Sequence, residues 1–82
     1  MVGAYLQVQQ AAVAALAELH RAGVLHGDIF PANFMVEERP GQAPRVTVVD
    51  LERSQFSEDQ EAFVREMEDL KAMLGWAPSQ ES

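Results

Sequence analysis

Asp28, Asn33 and Asp50 are the residues on which chemistry could rest. The first two lie in His26-Gly27-Asp28-Ile29-Phe30-Pro31-Ala32-Asn33, an H-x-D-x-x-x-x-N octet of the kind used as a phosphoryl-transfer catalytic loop. The third closes Val46-Thr47-Val48-Val49-Asp50, an apolar run that would deliver a carboxylate at a strand end. Phosphoryl transfer asks the protein chiefly to position groups and to neutralise charge. Asp28 would accept or orient the proton of an attacking hydroxyl. Asn33 offers a neutral oxygen and Asp50 an anionic one to a magnesium ion bridging nucleotide phosphates. Magnesium takes few protein ligands, all oxygen. For Asp28 alone, an aspartate that shapes a turn is an equally good account; it is the ordered set that points to chemistry.

The neighbouring polar residues have plainer readings. His26 is expected to be a packed residue that shapes the loop. His20 reads as a cation at a helix end. A zinc site from His20, His26 and Asp28 has no H-E-x-x-H or comparable spacing behind it. Asp69 and Glu66, on a later helix, are each in a position to accept backbone N–H groups of the loop, although a solvated helix acid is the simpler reading of either.

The elements that must hold these residues follow from periodicity. Residues from about Ala4 to Ala22 are rich in Ala, Leu, Gln and Glu, which predicts a helix. Leu6, Val13 and Leu16 share one face, with Ala12, Ala15 and Leu19 beside it. His20 and Arg21 suit the negative helix end, and Gly23 suits a left-handed stop. Val24-Leu25 can be no more than a two-residue strand leading into the loop. Phe34 to Glu37 and Arg45 to Asp50 read as two strands of a hairpin, separated by a turn cluster containing Pro40, Gly41 and Pro44. Leu51 to Phe56 is expected to be a connector. Ser57 followed by Gln60 resembles a capping box. Phe63, Met67, Leu70 and Leu74 then form one apolar helical stripe ending before Gly75. The predicted order is helix, catalytic-type loop, β-hairpin, helix: an α+β chain, with residues 4–75 as its body and 76–82 as a tail.

Bulk composition narrows the options. A chain of 82 residues is one domain at most, and at this size only about 60% of the unfolded surface becomes buried. There is no cysteine, so neither disulfides nor thiolate metal sites can reinforce it. The net charge of −7 argues against a nucleic-acid partner. An apolar content of 48% is that of a globular chain. No apolar run is long enough to span a membrane and no cleavable leader pattern opens the sequence, so a cytoplasmic location is expected.

The octet, the downstream strand-plus-aspartate and Asp69-Leu70-Lys71-Ala72-Met73-Leu74 together resemble the C-terminal lobe of the protein-kinase-like superfamily. The His-Gly-Asp form is most similar to aminoglycoside and choline phosphotransferases and to small atypical kinases. The resemblance implies that Asp28 is the catalytic base, that Asn33 and Asp50 are magnesium ligands beside ATP, that His26 is structural, and that Asp69 anchors the loop. The sequence also departs from that pattern. Leu51-Glu52 follows Asp50 in place of Phe-Gly, Phe30 stands where lysine is common, and Gly27 stands where protein kinases have arginine. There is no G-x-G-x-x-G, and Lys71 is the sole lysine. Two functions follow as expectations. One is an ATP- and magnesium-dependent phosphotransferase segment, weak or inactive alone unless a longer coding sequence supplies a Gly-rich loop and a strand lysine. The other is a non-catalytic module that binds a protein partner, or itself, through exposed apolar helix faces.

Overall fold

The computed structural model describes residues 2–77, with side chains from residue 5 onward; of the expected tail 76–82, residues 78–82 lie outside the described residues. The elements are a long helix α1 (Val2–Arg21), strand β1 (Val24–Leu25), strands β2 (Phe34–Glu37) and β3 (Arg45–Val48), strand β4 (Gln55–Phe56) and helix α2 (Gln60–Leu74). They make two helices and two antiparallel two-stranded sheets, an α+β arrangement. Single 3-10 turns at Pro31–Asn33 and Leu51–Arg53 join the pieces.

Helix α1 ends where the sequence suggests. Gly23 takes φ +82°, and its N–H closes on the His20 carbonyl at 2.9 Å. The buried line along α1 is Gln9, Ala12 and Leu16, at helical spacing. Leu6 and Val13, expected to share the inner face with Leu16, are only half-buried. The shift arises because α1 is packed against two elements at once, β3 on one side and α2 on the other, and the seam between them selects the buried line.

The hairpin pairs Phe34 with Val48 and Glu37 with Arg45. A second ladder, β1 with β4, pairs Val24 with Phe56 and Leu25 with Gln55. The expected connector at Leu51 to Phe56 is thus a helical turn followed by a strand. A two-residue strand carries too little periodicity to be read from its own residues, and β4 exists because β1 offers it hydrogen bonds. Strand β3 stops at Val48, short of the predicted end at Asp50.

Helix α2 begins two residues later than the Ser57 signature implied. Asp59 is the N-cap, and its Oδ1 accepts from the N–H groups of Glu61 at 3.0 Å and Ala62 at 3.4 Å. Ser57 instead accepts the Asp59 N–H through Oγ at 3.0 Å, which sets the turn that presents the cap. The far end is a Schellman closure. Gly75, at φ +70°, donates to Ala72 at 3.2 Å, and Trp76 donates to Lys71 at 2.9 Å. Tyr5 Oη and Gln9 Nε2 both donate to the Leu74 carbonyl, at 2.7 and 2.6 Å, tying α1 to the end of α2. The buried apolar residues are Ala12, Leu16, Leu25 and Leu70, with at least one from each of α1, β1 and α2. His26 and Asn33 of the loop that follows β1 are buried as well. No helix among the described residues is long and apolar enough to cross a membrane.

Candidate active site

The loop between β1 and β2 is held by Glu66, which His20 holds in turn, and by its own His26. From α2, Glu66 accepts the His26 N–H on Oε1 and the Gly27 N–H on Oε2, each at 2.9 Å. From α1, His20 Nε2 meets the same Oε1 at 2.8 Å. Burial of Glu66 pushes its carboxyl pKa up. The bond from His20, the backbone N–H groups of Gly27 and His26 and the charge on His20 outweigh that and hold it below its ordinary value. An ionised carboxylate accepting several donors is the strong form of such an anchor.

Asp69, which the kinase-like resemblance casts as the anchor, does not reach the loop. It is exposed, whereas Glu66 and Leu70 are the buried residues of α2. Three residues along a helix turn the side chain by about 60° from the starting direction and advance it by about 4.5 Å. Asp69 therefore sits a turn too far and on the wet side.

The third support is His26, fully buried and roughly parallel to the Phe34 ring, with centroids 6.5 Å apart. Its Nδ1 accepts the Asp28 N–H at 3.2 Å, and its Nε2 donates to the Val49 carbonyl at 2.8 Å. Those two bonds require the tautomer protonated on Nε2. One imidazole thereby joins the backbone of Asp28 to the residue just before Asp50. His26 is thus buried and hydrogen-bonded through both ring nitrogens.

Gly27 takes φ +87°, and a Cβ there would collide with the Arg53 carbonyl oxygen. The collision follows from the β1–β4 register, which continued two residues past Leu25 sets Gly27 against Arg53. Any side chain at position 27 would break this approach, which explains the departure from the arginine-bearing version of the motif.

Asp28 and Asn33 are brought together. Asn33 is buried, and its Nδ2 donates to the Asp28 carbonyl at 2.8 Å and to Asp28 Oδ2 at 3.2 Å. Pro31 opens the 3-10 turn that carries Asn33 back beneath Asp28, closed by the Asn33 N–H on the Phe30 carbonyl at 2.9 Å. Because Nδ2 is committed to Asp28, the amide is oriented and Oδ1 is left to accept. The Asn33 carbonyl takes the Val49 N–H at 2.8 Å, extending the hairpin register by one pair. Asp50 is therefore the next residue after one clamped by both Asn33 and His26. It sits exposed at φ 59°, ψ 69°, the sole non-glycine residue with positive φ among those described.

The donor chemistry fits a magnesium ion. Asn33 Oδ1 and the Asp50 carboxylate are hard oxygens without hydrogen-bond partners among the described residues, and Asp28 keeps Oδ1 open. No cluster of three His, Cys, Asp or Glu side chains that could hold a metal occurs among the described residues. His20 and His26 are committed to Glu66 and Val49, so the zinc set of His20, His26 and Asp28 is not assembled. Two surface clefts, of about 470 and 590 Å³, lie elsewhere: one between α1 and the 38–44 turn, the other between the end of α1 and the start of α2. Neither is lined by Asp28, Asn33 or Asp50.

A β-hairpin beneath a His-x-Asp loop, with an asparagine fastened to the aspartate and a second aspartate at the strand end, is the framework of a kinase-like phosphotransferase. The chain belongs to the lipopolysaccharide kinase (Kdo/WaaP) family, which it matches over residues 4–80. No curated protein and no solved structure matches it.

Proposed function

We propose that this chain is the catalytic-loop portion of a protein-kinase-like C-terminal lobe that transfers phosphate from ATP, with magnesium, to a hydroxyl group. The family's description, a lipopolysaccharide kinase, supports lipopolysaccharide as the class of acceptor. The observation that carries the reading is the fastening of Asn33 Nδ2 to both the carbonyl and the carboxylate of Asp28. That contact fixes the base relative to the amide that would face the metal, and positioning of this kind supplies most of the catalysis in phosphoryl transfer.

In this reading Asp28 accepts the proton of the acceptor hydroxyl as its oxygen attacks the γ-phosphorus and ADP departs. Asn33 Oδ1 and Asp50 would hold the magnesium, which when bound neutralises phosphate charge. His26 keeps Asp28 and Asp50 in register, and Glu66 keeps the loop from relaxing. Titration calorimetry with ATP and magnesium tests the proposal. Heat in the wild type that disappears in Asp50→Ala and Asn33→Ala supports it, whereas no heat at millimolar ATP in the intact chain overturns nucleotide binding by this chain.

A second reading, a non-catalytic partner-binding or self-associating module, is favoured by the exposure of Phe30, Leu51 and Phe56, the last at 83%. Tyr5 on α1 and Val64 on α2 are exposed as well, so apolar surface is present on the helices and off them. Light scattering on the purified chain separates the two readings, since a monodisperse monomer argues against self-association.

A further inference from the structure

We infer that His20 is a positioning residue for the Asp28 loop, acting through Glu66; the inference rests on the phosphotransferase reading above. The loop hangs on one carboxylate, and that carboxylate is itself held from a second helix. His20 lies in the last turn of α1 and Glu66 in the middle of α2, 46 residues apart, with Nε2 to Oε1 at 2.8 Å. Both side chains are shielded, at 12% and 9% exposure, so the contact is not a solvent-screened surface pair. The imidazole is steered by Phe63, less than one turn before Glu66 on the same helix, in an edge-on contact at 4.9 Å and 65°.

The division of labour on Glu66 gives the bond its consequence. Oε2 serves only Gly27, whereas Oε1 serves both His26 and His20. Without the imidazole, the carboxylate loses its hydrogen bond to α1 and turns more freely about its last side-chain bond. The N–H groups of His26 and Gly27 would follow it, and Asp28 is the next residue. Arg21 and Glu58 are the other charged groups beside His20 in the neighbouring cleft; Arg21 is paired with Glu18. None of them has a hydrogen bond to the loop among the described residues, whereas the His20–Glu66 bond ties α1 to the carboxylate that holds it.

Amide hydrogen exchange on the full chain tests this with wild type, His20→Ala, His20→Gln and Leu16→Val. In His20→Ala the His26 and Gly27 amides should lose protection about tenfold or more, while amides around Leu16 and Leu70 change much less. His20→Gln, whose amide nitrogen reaches about as far as Nε2, should restore most of the protection. Leu16→Val, which loosens the core without touching the pair, should lower loop and helix amides together. Loop and helix amides falling in proportion in His20→Ala, unchanged loop amides, no restoration by glutamine, or an unprotected loop in the wild type would each overturn the positioning role. Magnesium-ATP calorimetry on the wild type judges the underlying reading separately. Absent heat with the expected loop response removes the phosphotransferase function alone, and present heat with an unresponsive loop removes only the role of His20.

Discussion

Asp50 holds the backbone in a region that costs an L-residue about 1–2 kcal/mol, at φ 59° and ψ 69°. Aspartate tolerates that region better than most residues, which moderates the strain without abolishing it. The conformation ends β3 and turns the chain into the Leu51–Arg53 turn. Glycine would do this more easily, so selection for ease of folding alone does not explain an aspartate here. Asp50→Gly should therefore raise the urea midpoint, by up to about 1 kcal/mol of stability, while abolishing the magnesium-ATP heat. A variant that loses stability instead would show that the carboxylate makes a structural contact and that the strain argument is wrong.

Between elements, the deciding contact is Glu66, because α1, α2 and the loop meet on it. Its lowered folded pKa sets the direction of a pH effect. The unfolded carboxyl titrates near its ordinary 4.5 and the folded one below it. The stabilisation is therefore complete above that ordinary value and is lost as pH falls through the folded value. Urea midpoints should decline on acidification from pH 5 to pH 3. Glu66→Gln should remove part of that decline and cost about 2 kcal/mol at neutral pH, since one of its donors then faces another donor. A mutant with the wild-type pH slope would place the acid-sensitive group elsewhere. The start of α2 offers a second test at this scale. Asp59→Ala should cost about 1 kcal/mol of stability, and Ser57→Ala distinctly less, because only Asp59 accepts N–H groups inside the helix. Thermal melts that rank them the other way would restore Ser57 as the cap.

At the scale of the whole molecule, the small core governs behaviour. Leu16 and Leu70 are fully buried, one from each helix, and so is His26 at the start of the loop that carries Asp28. A domain of this size has roughly 4–12 kcal/mol of stability in total. Leu70→Ala should remove about 3 kcal/mol of it and broaden or abolish the cooperative transition seen by circular dichroism. A sharp transition within about 1 kcal/mol of wild type would mean that the helices are held chiefly by the polar contacts of Tyr5, Gln9 and Glu66. The same architecture leaves the Asp28–Asn33–Asp50 edge outside both surface clefts. Nucleotide bound by this chain alone would be gripped chiefly through its phosphates and metal, because neither cleft offers the base a wall beside the site. Specificity among nucleotides should accordingly be low, with magnesium-GTP and magnesium-ATP binding within a few-fold of each other by calorimetry.

Local chemistry made much of this legible in the amino acids themselves. Helix formers followed by Gly23 and Gly75 specify two helices and their ends, β-branched residues around a Pro-Gly turn specify the hairpin, and the spacing from His26 to Asn33 specifies the loop. What lies between elements was not legible, because it depends on helix phase and on register. Nothing local to Asp69 or Glu66 says which faces the loop; the docking of α2 on α1 decides it, by a rotation of about 60°. Strand β4 and the need for glycine at 27 come from pairing with a segment about 30 residues away, and the Asp59 cap from the way Ser57 turns the chain. Short-range propensity names the parts, whereas packing chooses which atoms meet, since only the folded chain fixes where each surface points.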